Sequence, residues 1–209
     1  MNENKIGIIT GGSFQGKSLI SLSLAAKLNY SGVLTTDAVR NVLTVLYPDK
    51  SYFSTSTYLL SGEDFAHQIE QVSEIIKGII EIYESRGEHM IIEGMHFSSA
   101  FFEWAKEKNF CRICLDNQLS FEQRIILKKI TRSKLRKMAS VNSSEFAQNI
   151  NNENVKATSY YQHRDRIEEI HKTILKQSED QGFQIVKFTE IQLGIKATLA
   201  YFNDWFSHN

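Results

Sequence analysis

Residues 11–18 read Gly-Gly-Ser-Phe-Gln-Gly-Lys-Ser, which satisfies G-x-x-x-x-G-K-[ST] at every position. Glycines let the backbone bend until several N–H groups converge on one anion. A helix opening near Lys17 would add the positive end of its dipole. Gly12, Ser13, Phe14, Gln15, Gly16, Lys17 and Ser18 are therefore candidate ligands of a polyphosphate. Lys17 would reach the β- and γ-phosphates as a point charge, and the Ser18 hydroxyl would ligate Mg²⁺.

Two carboxylates stand where such a loop could use them. Asp37 follows the apolar run Gly-Val-Leu-Thr-Thr, and Glu93 closes Met-Ile-Ile. In a doubly wound sheet the carboxyl ends of the strands face the ligand crevice. Asp37 would look across at the γ-phosphate and accept the proton of an attacking hydroxyl. It would also serve as a helix N-cap, and the two roles are compatible. Glu93 would hold Mg²⁺ directly or through water; which of the two carboxylates touches the metal stays open. His96 is a candidate on the same loop, with a solvated or hydrogen-bonded imidazole as the plainer alternative.

Arg124, Lys128, Arg132 and Arg136 recur every four residues, so they share one helix face, where like charges repel by about 0.2–0.5 kcal/mol per pair. Something anionic should compensate, either a neighbouring acidic surface or a ligand phosphate. The polar stretch 139–156 follows at once and has the composition of an exposed flap. A cation-bearing lid fits both facts, with Arg132 and Arg136 joining Lys17 and Asp37 as candidate catalytic residues. Tyr160, Tyr161, Arg164 and Arg166 lie on the far side of the polar stretch and could belong to the same lid.

These side chains need a frame, and short apolar runs alternating with helical periods supply one. Strands are expected over 5–10, 32–37, 89–94, 111–116 and 183–188. Helices are expected over 17–28, from 38 until Pro48, then over 63–85, 98–107, 120–138 and 159–180. A last helix carries Ile195, Leu199, Phe202 and Phe206 on one stripe. Residues 51–61 read as a hydroxyl-rich loop. Strands alternating with helices mean a parallel sheet covered on both faces, an α/β three-layer α/β/α sandwich. One domain over 1–209 is expected, with a lid or insertion at about 120–165.

Composition excludes several classes. The chain has 209 residues, 24 Lys+Arg against 24 Asp+Glu, 42% hydrophobic and 23% charged residues. That is an ordinary globular balance. Zero net charge gives no long-range pull on a polyanion, so a nucleic-acid partner is disfavoured. Cys111 and Cys114 supply half a zinc site at most, and three residues apart on a strand they point to opposite faces. No run approaches 18 apolar residues, and the first residues lack a signal-like core. A soluble cytoplasmic protein without a membrane partner is the expectation; oligomeric state is not legible.

Beyond the glycine-rich loop, Thr36-Asp37-Ala38-Val39-Arg40, Thr55-Ser56-Thr57-Tyr58-Leu59 and Ile91-Ile92-Glu93-Gly94-Met95-His96 resemble 2-phosphoglycerate kinase. They occur in that family's order, and Phe65 and Gln68 fall where its long helix has Phe and Gln. The resemblance covers roughly residues 5–188. It implies a P-loop NTPase fold of the nucleoside-monophosphate-kinase-like group, a five-stranded parallel sheet in the order 2-3-1-4-5, and a helical lid. It further implies ATP and Mg²⁺ as cofactors and a small phosphorylated acid as acceptor. Asp37 would be the acceptor-side carboxylate and Arg40 an anion contact. Thr55, Ser56, Tyr58, Glu93 and His96 would line the acceptor pocket, with Arg132 and Arg136 in the lid.

The chain departs from that pattern near the acceptor. Phe97-Ser98-Ser99-Ala100 replaces a Val-Pro-Gly-like turn, Tyr160-Tyr161 replaces an Arg-Tyr pair, and Ser54 replaces a His. Two other functions therefore stay beside a small-metabolite kinase: a kinase of nucleic acids or nucleosides, and a non-catalytic ATP-binding regulator.

Overall fold

In a computed structural model, residues 5–138 and 158–208 are described, except for the side chains of 130–138. The strands are β1 (Ile6–Thr10), β2 (Gly32–Thr35), β3 (Met90–Gly94), β4 (Cys111–Asn117) and β5 (Gln184–Phe188). All neighbours are parallel, in the order β2-β3-β1-β4-β5. β1 sits at the centre, with Ile8 beside Ile92 of β3 and Arg112 of β4. Every residue of β1, β3 and β4 is buried, as expected of strands covered on both faces.

Alternation along these strands divides the core in two. Ile6, Ile8, Met90 and Ile92 point into a cluster with Leu43, Phe53, Val72, Ile76 and Phe101. That cluster is covered by α2 (Thr36–Leu46), α4 (Gly62–Ser85), α5 (Ser99–Glu107) and α7 (Arg164–Asp180). Ile9, Ile91, Ile113 and Leu115 point the other way, onto Ile20, Leu24 and Phe202. There α1 (Lys17–Leu28) and α8 (Ile191–His208) close the third layer. Among the described residues, no helix is long and apolar enough to cross a membrane.

Several boundaries move from their sequence expectation. The second strand ends at Thr35, and α2 begins at Thr36 because the Thr35 hydroxyl accepts from the Ala38 N–H at 3.0 Å. Asp37 is therefore a first-turn residue, and Thr35 is the N-cap. Stretch 51–61 is more ordered than a loop: it holds a helical turn, α3 (Ser51–Ser54), and a 3₁₀ turn (Thr57–Leu59). The single helix expected over 159–180 is broken at His163 into a short segment, 158–162, and α7. α6 (Phe121–Met138) agrees with the basic helix. The polar stretch 139–156 and the side chains of Arg132 and Arg136 lie outside the described residues.

Candidate functional site

The glycine-rich loop joins β1 to α1 at the carboxyl edge of the sheet. Gly16 caps α1 at φ 82°, a left-handed conformation that glycine adopts without cost. Phe14 also has positive φ, 67°, which costs a bulky residue about 1–3 kcal/mol. Its ring is held between neighbours that over-determine it. Tyr160 lies edge-on at 4.9 Å and Phe121 at 5.8 Å, while the Lys128 ammonium stands 4.4 Å from the ring centre.

Inside the loop, Lys17 Nζ donates to the Gly12 carbonyl at 2.8 Å. The Ser18 hydroxyl donates to Glu93 Oε1 at 2.8 Å. The strand β3 thus delivers its terminal carboxylate to the last residue of the motif. Burial raises the Glu93 pKa, against the lowering effects of Lys17 and the Ser18 hydrogen bond, with Asp37 adding to the rise. A buried carboxylate of this kind is more easily protonated than a surface one, and a nearby cation favours its charge. Gln15 is fully buried, and its Oε1 accepts from the Asn117 N–H at 2.6 Å. Ser13 Oγ lies 3.9 Å from Met95 Sδ.

Asp37 keeps an exposed carboxylate at the mouth of the same site. Partial desolvation opposes its charge, but the fields of His96, Arg40 and Lys17 and a hydrogen bond from Arg40 lower its pKa on balance. Arg40 Nε reaches Asp37 Oδ1 at 3.3 Å, and its NH1 donates to the Phe53 carbonyl at 2.5 Å. The guanidinium is largely buried while its carboxylate partner is open to solvent, so Arg40 is the fixed member and Asp37 is oriented by it.

His96 is fully buried. Its Nδ1 lies 2.8 Å from Thr36 Oγ1 and its Nε2 lies 3.1 Å from Thr57 Oγ1, joining α2 to the 3₁₀ turn. Burial is the main cause lowering its pKa to about 4, assisted by Arg40 and Lys17 and opposed by Asp37. The ring is neutral at pH 7 and serves as a strut. Thr55 Oγ1 donates to the Ser51 carbonyl at 2.8 Å, Ser56 is exposed, and Tyr58 faces Tyr160 and His163. Beside the loop, a cavity of about 220 Å³ lies between α4 and α7. Phe65, Ile69, Met95, Phe97 and Thr10 line it, together with Arg166, whose guanidinium pairs with Glu169 at 2.8 Å. None of Arg40, Thr55, Ser56, Tyr58, Glu93 and His96 lines this cavity.

Of the four cations spaced along one face of α6, the first two are engaged within the protein. Arg124 is buried, pairs with the Glu168 carboxylate of α7 and donates from Nε to the Leu119 carbonyl at 3.1 Å. Lys128 caps the Phe14 and Tyr160 rings. The expected anion is therefore an acidic neighbour at Arg124 and two π-faces at Lys128.

The donor set suits a nucleotide-borne Mg²⁺. A hydroxyl and one carboxylate are hard oxygen ligands, the number a magnesium ion takes from a protein when phosphates and water complete its shell. Among the described residues, no group of three or more His, Cys, Asp or Glu side chains could hold a metal. The residues that sequence reasoning missed are Thr36, Asp116 and His171. Asp116 carried a signal, since it stands near the end of a strand as Glu93 does.

No protein-family model matches the chain, and no curated protein matches its sequence. Among solved structures it is similar to shikimate kinase from Acinetobacter baumannii in complex with shikimate. The TM-score is 0.56 at 11% identity, over 99% of this chain and 95% of that one. It is also similar to a protein described as a kinase from Chloroflexus aurantiacus. Here the TM-score is 0.51 at 14% identity, over 100% of this chain and 98% of that one. The fold is that of the P-loop kinases. At such identities these likenesses speak to the fold, and the reading of function rests on the site.

Proposed function

We propose that this chain is an ATP-dependent kinase that transfers the γ-phosphoryl group to a hydroxyl of a small phosphorylated or carboxylated metabolite, resembling 2-phosphoglycerate kinase. The observation that carries this reading is the Ser18–Glu93 hydrogen bond beside Lys17, with the Asp37 carboxylate facing the same space. Those are the groups that phosphoryl transfer requires, drawn from three elements.

The loop amides and Lys17 bind the donor phosphates. Ser18 and Glu93 are the residues that would hold Mg²⁺, which when bound neutralises charge on the phosphates. Asp37, kept ionised and held by Arg40, orients the acceptor hydroxyl and takes its proton as the bond forms. A carboxylate of low pKa is a weak base, but a loose transition state asks little of the base and more of positioning. Arg132 and Arg136 are assigned to the charge spreading over the transferred group. The fold shared with a kinase that holds shikimate supports an acceptor of small size. With Arg124 and Lys128 engaged internally, the basic face offers less to a nucleic acid than its sequence suggests.

The test is incubation of purified protein with γ-labelled ATP, Mg²⁺ and a panel of phosphorylated three-carbon acids, nucleosides and oligonucleotides. Label in a small acid is the expected result. Label in an oligonucleotide would move the acceptor class. ATP binding with no labelled product from any pool would leave a nucleotide-dependent regulator.

A further inference from the structure

One buried histidine touches the glycine-rich loop from outside the groups used above. His171 lies on α7 with its side chain 8% exposed, and both ring nitrogens are engaged. Nδ1 accepts from the Gly12 N–H at 3.2 Å. Nε2 lies 3.3 Å from Asp116 Oδ1, near the end of β4. A backbone amide can only donate, so Nδ1 is the acceptor and the ring proton sits on Nε2, toward Asp116.

The packing makes the same connection independently. A Cβ placed on Gly12 would stand 2.6 Å from His171 Cβ and 2.9 Å from its Cα. The helix backbone therefore lies directly against the loop's second residue. The G-x-x-x-x-G-K-[ST] pattern leaves that position open; here the approach of α7 requires glycine.

We propose that His171 is a positioning residue for the donor phosphates, holding the first turn of the loop through the Gly12 amide while Asp116 selects the tautomer that can do so. The proposal rests on the reading that the loop binds a nucleotide. The anchor works only while the ring is neutral, because a proton on Nδ1 would set two donors face to face. The ionisable groups facing the ring are Asp116 from β4, Arg124 from α6 and Glu168 from α7 itself. Burial, the largest influence, and Arg124 lower the His171 pKa, and the two carboxylates raise it, with a net lowering. Anchoring is thus complete at neutral pH and lost in acid.

Calorimetric titration with Mg·ADP from pH 8 to pH 5 tests this on wild type, His171→Asn and His171→Leu, with circular dichroism confirming the fold at each pH. The Asn Oδ1 takes the place of Nδ1 as an acceptor that does not titrate. At pH 7.5, His171→Asn should bind within about threefold of wild type, and His171→Leu about tenfold more weakly, the worth of one buried hydrogen bond. Toward pH 5, wild type should lose about tenfold more affinity than His171→Asn. Identical pH profiles for wild type and His171→Asn overturn the proposal, and so does a folded His171→Leu that binds like wild type. Should the leucine variant not fold, the comparison of the other two decides. Wild type that binds no nucleotide at pH 7.5 overturns the nucleotide reading and this proposal together, an outcome distinct from binding that is insensitive to His171.

Discussion

Charge at the site is divided between two carboxylates in different surroundings. Asp37 is exposed and flanked by cationic groups, whereas Glu93 is buried against a hydroxyl. The first is kept ionised by those neighbours, and the second is suited to a state in which a cation is near. Lys17→Ala and Asp37→Asn should each abolish phosphoryl transfer, by at least about 10³-fold. Asp37→Asn should leave ATP affinity within a few-fold of wild type, and full turnover in that variant would remove Asp37 from the mechanism. His96 has a second measurable consequence. Unfolded, its imidazole takes up a proton near pH 6.5; folded, only near pH 4. Between those values the unfolded state binds more protons, so stability falls as pH drops, by up to about 3 kcal/mol. Urea unfolding at pH 7 and pH 4.5 should show this loss, and His96→Gln should show a smaller one.

At the scale of elements, α6 and α7 are fastened across their polar faces. Arg124 pairs with Glu168 in a buried setting, and Arg164 pairs with Glu122 at 2.8 Å on the surface. Only the first should matter to stability, because exposed pairs contribute little. Removing one partner of a buried pair leaves a desolvated charge. Glu168→Gln should therefore destabilise the fold by about 2–4 kcal/mol, and adding Arg124→Met to it should recover part of that loss. Arg164→Ala should change stability by less than about 1 kcal/mol. Chemical denaturation of wild type, Glu168→Gln, Arg124→Met and the double variant measures the coupling. The aromatic group of Phe14, Phe121, Tyr160 and Tyr58 belongs to this scale as well. It brings the loop tip, the start of α6, segment 158–162 and the 3₁₀ turn together.

Across the whole molecule, five parallel strands place the glycine-rich loop, Asp37 and Glu93 at one edge because all their carboxyl ends lie there. The rest of the chain is a support: two apolar clusters, one on each face of β1, hold that edge in register. Zero net charge with two of the α6 cations engaged internally makes long-range attraction weak. Acceptor binding should accordingly have a shallow salt dependence, with a log–log slope of roughly 1–2. An oligonucleotide would show a slope of several. Equilibrium binding between 50 and 300 mM salt would separate them, and a steep slope would revive the nucleic-acid acceptor.

The residue pattern alone determined the loop, the alternation of strand and helix, and a carboxylate, Glu93, near the end of its strand. Each is a local matter of period, turn chemistry and spacing, readable within a few neighbours. Local reading also erred: a capping threonine, itself a local signal, starts α2 early, and 51–61 folds into turns where it packs against α2 and α4. Only the folded chain decided which polar groups meet. His96 finds Thr36 across 60 residues and Thr57 across 39, and His171 reaches Gly12 across 159. Such pairs leave no periodic trace, since they form where separate elements pack, and burial makes each partner obligatory only after the chain has closed.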